Sequence, residues 1–154
     1  MNFQKHNQDL KILQLEGRRS RFGKTPGWTG VDWKPTRLGG NVIFLRQVAL
    51  PPTCSVQRTD IKIEAPPNLY EPAGNGLLVF YRNLWISPGV RLWQARARSW
   101  EPMPRLFDGD GDGFGFLCVH PDPVSAEKNI LDFIRVVDLY LLNPGYKKSA
   151  AERL

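Results

Sequence analysis

Apolar positions recur at helical spacing near both ends of the chain and at strand spacing between them. In "FQKHNQDLKILQLEG" (residues 3–17), Leu10 and Leu13 fall on one side of a helix with Phe3 beside them, and Gly17 ends it. This reading leaves His6 on the exposed side. "NVIFLRQVAL" (41–50) is an apolar run of buried-strand length. In "SVQRTDIKIEA" (55–65), Ile61 and Ile63 alternate with Asp60, Lys62 and Glu64, which predicts a half-exposed strand. "LLVFY" (77–81) is a third strand, and "FGFLCV" (114–119) has the pattern of another, buried one. "SAEKNILDFIRVVDLYLL" (125–142) carries a stripe of Ile130, Ile134, Val137 and Leu141, flanked by Phe133 and Tyr140. Ser125 is its candidate N-cap, Asp132, Arg135 and Asp138 face outward, and Asn143, Pro144 and Gly145 stop it.

Turn-forming stretches separate these elements. "RRSRFGKTPGWTGVDWKPTRLGG" (18–40) is basic, glycine-rich and expected to be irregular, with Trp28 and Trp33 as anchors. "PPNLYEPAGNG" (66–76) is a connection. "RLWQARARSWEPMPRLF" (91–107) is a strand or an extended crossing segment, since Pro102 and Pro104 oppose a helix. Strands bracketed by helices predict an α+β fold. With no internal repeat or long linker, residues 1–146 read as a single domain and 147–154 as a mobile tail.

Composition narrows the setting. No apolar run approaches the roughly 18 residues of a membrane span. The N-terminus lacks the apolar stretch of a signal peptide, so a cytoplasmic location and no membrane partner are expected. A reducing compartment predicts that the two cysteines, Cys54 and Cys118, are thiols. Cys54, in a turn before a strand, reads as structural. The net charge of +6 suits an acidic protein partner or nucleic acid. Arg18, Arg19, Arg21 and Lys24 are candidates for the former. Arg91, Arg96 and Arg98, interleaved with Trp93 and Trp100, form a strip of a kind that can bind single strands by charge and stacking but is more often a solvated strand with aromatic core residues, so nucleic acid is not the expected partner.

The oddest chemistry lies in "DGDGDGFGFLCVHP" (108–121). Asp108, Asp110, Asp112 and Gly113 match the first half of a calcium loop, but its twelfth position is Val119 where a bidentate glutamate belongs. No metal or other cofactor is therefore expected. A turn before an inert buried cysteine is the plain alternative. The chemical alternative starts from Cys118, with His120 two residues on and on the same side of an extended chain. His120 can favour the thiolate or take a proton from an incoming amine, and Asp122 can orient the imidazole.

The arrangement resembles the ubiquitin-conjugating-enzyme family over roughly residues 40–145. "TDIKIEAPPNLYEP" is similar to that family's strand and proline/tyrosine turn, "GFGFLCVHP" to its approach to the active cysteine, and "ILDFIRVVDLYLLNP" to the helix behind the site. The resemblance implies an N-terminal helix, an antiparallel β-meander and a C-terminal helix behind the cysteine. It also implies that Cys118 carries a ubiquitin-like protein or a target C-terminus as a thioester and passes it to an amine. An activating enzyme and the modifier would then be the partners. The family's His-Pro-Asn triplet is missing: its Asn would fall about where Asp110 stands, and a carboxylate repels a developing oxyanion. The Trp-Ser-Pro that usually follows the cysteine is missing too. Such departures resemble the bacterial members found in anti-phage operons, both the cyclic-nucleotide (CBASS) and the ubiquitin-like conjugation types. Glycine-loop N–H groups would hold the oxyanion, and His120, Asp110 or Asp122 would take the proton. Two other functions stay open: an inert domain of this fold that binds proteins, and a small basic nucleic-acid-binding protein.

Overall fold

Helix α1 spans Phe3–Gly17, as its apolar spacing predicts. Asn2 caps it: the side-chain oxygen accepts the Lys5 backbone N–H at 3.1 Å. The computed structural model describes residues 1–37, 39–52, 54, 56–71, 78–82, 114–117 and 130–142. After α1 come strands β1 (Gly30–Pro35), β2 (Asn41–Ala49), β3 (Arg58–Ala65), β4 (Leu78–Arg82) and β5 (Phe114–Leu117), then helix α2 (Ile130–Leu142). The strands form one sheet in the order β1-β2-β3-β4-β5, each pair antiparallel. The fold is a mixed α/β one with an N-terminal helix and an antiparallel sheet in chain order.

The register explains the core. Ile43 pairs with Ile63 and Leu45 with Ile61, so branched side chains of neighbouring strands stand together. They form one cluster with Leu10 and Leu13 of α1 and with Ile130, Ile134, Val137 and Leu141 of α2. The α2 stripe thus packs as its 3.6-residue spacing predicts, with Phe133 also buried. Between Leu45 and Val48 the β2–β3 register shifts. Gln47 sits there in the left-handed region, φ 50°, held by its N–H to Asp60 Oδ1 at 3.0 Å and by Arg58, which donates to its carbonyl at 2.8 Å.

Several expectations are corrected. Phe3 is 67% exposed and lies off the apolar side of α1. The segment 18–40 is not wholly irregular, because it contains β1. Trp28 anchors it, but Trp33 is exposed on that edge strand. β3 is buried on both faces: Lys62 and Glu64 are fully buried beside Ile61 and Ile63. Asp138 does not face outward. It takes both terminal nitrogens of Arg21 in a fork, with the two side chains 14% and 13% exposed. Arg21 also donates to the Ala49 carbonyl at 2.8 Å, and Lys24 to that of Leu50 at 3.0 Å. Those two basic residues serve the fold, while Arg18 and Arg19 remain exposed. Cys54 is half-buried and packs at the margin of the core. The segments 91–107, 125–129 and 147–154, with their expected crossing segment, Ser125 cap and tail, lie outside the described residues.

The end of α1 shows why Gly17 is needed. Trp28 lies across it and donates its indole N–H to the Leu13 carbonyl at 2.9 Å. A Cβ added at Gly17 would overlap the indole. Gly17→Ala is expected to lower stability by about 1–3 kcal/mol through overpacking, although alanine is the better helix former. Urea unfolding checks this, and a midpoint at or above wild type would show that the indole moves aside freely.

Candidate functional site

The sequence directs attention to Asp110, Cys118, His120 and Asp122, and all four lie outside the described residues. The strand that leads to them is described. β5 pairs with β4 from Phe114↔Arg82 to Leu117↔Val79, and Cys118 is the next residue of the chain. β5 stands last in the order of the described strands. The expected strand before Cys118 is therefore present; the 31 residues 83–113, which join β4 to β5 in sequence, and Cys118 itself lie outside the described residues.

The described residues bring together a different set of polar groups, behind α1. His6, Asp9, Asn41 and Tyr70 form a continuous hydrogen-bonded chain. α1 supplies His6 and Asp9, three residues apart and on the same side as Leu10 and Leu13. Asn41 is the first residue of β2, and Tyr70 ends the "PPNLY" turn after β3. That turn is closed by the Leu69 N–H on the Pro66 carbonyl at 3.2 Å. Lys5 lies over the Tyr70 ring, 5.1 Å from its centre.

The donors can be ordered. An ionised Asp9 only accepts, so the Tyr70 hydroxyl donates to its Oδ2, at 2.6 Å. With its proton committed, Tyr70 Oη accepts from His6 Nδ1, at 3.2 Å. His6 Nε2 is then the acceptor for the Asn41 amide. At the other end, the Ile130 backbone N–H donates to Asp9 and ties the first turn of α2 to α1. With the Asn41 amide nitrogen facing Nε2, the chain holds a neutral His6 carrying its proton on Nδ1. Burial accordingly lowers the His6 pKa. Burial raises that of Asp9, against the pull of the Tyr70 and Ile130 hydrogen bonds and of Lys5. Burial and the Asp9 carboxylate raise that of Tyr70.

His6 was expected to be exposed; it is 3% exposed. The signal for its burial was its spacing, since positions 6, 9, 10, 13 and 17 lie on one side of a helix. Nothing in the sequence singles out Asp9 or Asn41 as its companions. They meet it through tertiary contacts.

One expectation follows for pH. The unfolded chain binds a proton on His6 near its ordinary value of 6.5, and the folded chain binds it at a lower pH. Between the two, the unfolded state holds more protons, so His6's contribution is complete above about pH 6.5 and is lost as pH falls through that window. Asp9 and Asp138, raised by burial, act in the opposite sense: their contributions fall as pH rises from 3.8 through their folded values. His6→Gln is expected to flatten the fall in Tm between neutral pH and about pH 5. An unchanged slope would assign that fall to other groups.

Among the described residues no group of three or more His, Cys, Asp or Glu side chains is placed to hold a metal. No described helix is long and apolar enough to cross a membrane. No protein-family model matches the chain, and neither does any curated protein or solved structure.

Proposed function

We propose that the chain is a ubiquitin-conjugating-like acyl carrier with Cys118 as its acceptor. One observation carries the reading. β3, the "PPNLY" turn, β4 and β5 follow one another in a single antiparallel meander between two helices, and Cys118 is the next residue after the last strand. This order supports the resemblance drawn from "TDIKIEAPPNLYEP" and "GFGFLCVHP". The buried hydrogen bonds of Tyr70 add support, since they give the proline/tyrosine turn a fixed seat on α1.

The chemistry proceeds in two acyl transfers. The Cys118 thiolate attacks the thioester carbonyl of a modifier, or of a target C-terminus, held on an activating enzyme. A new S–C bond forms at Cys118 and the donor's thiolate leaves. An amine then attacks the Cys118 thioester, nitrogen takes the acyl group, and the Cys118 thiolate departs. His120, Asp110 or Asp122 accepts the amine proton. Backbone N–H groups of the glycine-rich stretch stabilise the oxyanion that Asp110, as a carboxylate, would repel. The setting that fits these parts is a bacterial anti-phage operon, in the cytoplasm.

Intact mass spectrometry tests the carrier role. The chain is mixed with a candidate activating enzyme, a ubiquitin-like protein and Mg-ATP. Wild type and Cys54→Ala are expected to gain the modifier's mass less one water, and to lose it with reducing agent. Cys118→Ala is expected to gain nothing. An adduct on Cys118→Ala, or none on wild type beside a visibly loaded activating enzyme, would overturn the reading and favour a binding domain.

A further inference from the structure

The polar chain behind α1 contains one group that its hydrogen bonds leave over. Asn41 is 6% exposed, and its side-chain oxygen is buried without a hydrogen-bond partner among the described residues while its nitrogen faces His6 Nε2. A buried orphan acceptor is unusual in a folded protein and needs a reason. The amide's two ends are nearly the same size, so a half-turn about its terminal bond exchanges them without moving β2. The turned amide would present its oxygen to His6 Nε2, where only an N–H can satisfy it.

We propose that Asn41 is a proton-coupled rotor. When His6 is neutral, the Asn41 NH₂ donates to Nε2; when His6 takes a second proton, the amide turns and its oxygen accepts from Nε2–H. The other bonds keep their sense in both states, because His6 Nδ1–H continues to donate to Tyr70 and Tyr70 to Asp9. The groups facing His6 are favourable to a proton once the rotor has turned. Asp9 on α1 lies one hydroxyl away. Tyr70, from the turn after β3, relays that carboxylate, and Asn41 of β2 closes the other side. Lys5 on α1 opposes the charge, and Asp132 of α2, which acts on Asp9, offsets it. The turned amide leaves its NH₂ where the oxygen was, so one orphan replaces another. The device therefore binds its proton weakly and reversibly, in agreement with the lowered titration of His6. Its consequence is that α1 stays seated on β2 and on the start of α2 in either protonation state. The inference stands independently of the role of Cys118.

An NMR titration of the intact chain tests this, with His6→Gln used to assign the ring signals. At neutral pH the His6 proton is expected on Nδ1. On acidification His6 is expected to gain its second proton while backbone amides keep native positions, and the Asn41 side-chain amide signals are expected to move with the same midpoint. Asn41→Asp, a permanent acceptor, is expected to raise the proton affinity of His6 about tenfold or more, one unit in midpoint. Asn41→Leu is expected to lower it by a similar factor. A neutral-pH proton on Nε2 would overturn the proposal. So would protonation of His6 only as native signals vanish, or a midpoint unmoved by Asn41→Asp. If Asn41→Leu does not fold, the wild-type titration still decides.

Discussion

Arg21→Met is expected to remove about 3–5 kcal/mol of stability, read as a large fall in the urea midpoint. The substitution keeps the apolar stem and deletes the guanidinium that holds Asp138 by both carboxylate oxygens. Both side chains are largely buried, so water does not replace what is lost. Arg21→Lys is expected to recover little, because an ammonium cannot reproduce the fork or its stacking over Phe22 and Trp28. Removing both charges has a different result. Burial raises the Asp138 pKa in spite of Arg21, so desolvation outweighs the attraction in the folded state. The pair Arg21→Met with Asp138→Leu is therefore expected to regain most of the loss. If the double variant were as unstable as the sum of the singles, the pair would be a net source of stability and the argument would fail.

Lys62→Met is expected to cost a similar amount, about 3–5 kcal/mol at neutral pH. Lys62 Nζ stands 3.7 Å from Glu64 Oε1, and both side chains are fully buried on β3. Methionine fills much of the same volume but leaves the carboxylate without that nearby ammonium. A buried carboxylate that loses a nearby ammonium keeps its desolvation cost with less attraction to offset it. Glu64→Gln removes the other charge of the pair and is expected to lower stability in the same way. Urea unfolding at neutral pH reads both variants. A midpoint at or near the wild-type value for either would show that the two charges are satisfied independently of each other.

What the sequence disclosed follows from which forces act locally. α1 was legible to the residue because its apolar spacing and Gly17 are local signals. The α2 stripe was legible for the same reason, as was the β2 run. β3 was read as half-exposed because Lys62 and Glu64 alternate with isoleucines, yet both are buried. Alternation reports which residues share a face, and it does not report whether that face is covered. Asp138 and His6 were misread alike, since each is buried by a partner distant in the chain, Arg21 and Asn41 respectively. β1 was missed because its glycine, lysine and proline resemble a loop, and its exposed face is that of an edge strand. For the candidate site, the sequence located β5 and the residue that follows it. Asp110, Cys118, His120 and Asp122 rest on motif and chemistry alone.

The order of the sheet also bears on how the chain reaches its native state. Every strand lies beside its neighbour in sequence, so the sheet can grow hairpin by hairpin with short loops to close at its start. The Arg21–Asp138 fork is of another kind: it joins residues 117 positions apart, a closure far longer than any hairpin of the sheet. Contacts of that span form after the β2–β3 hairpin on an entropic argument. The fork then governs how fast the native protein opens more than how fast it assembles. A meander built early and fastened late by one ionic clasp would owe its lifetime, under proteolysis or heat, to the seam between its two ends.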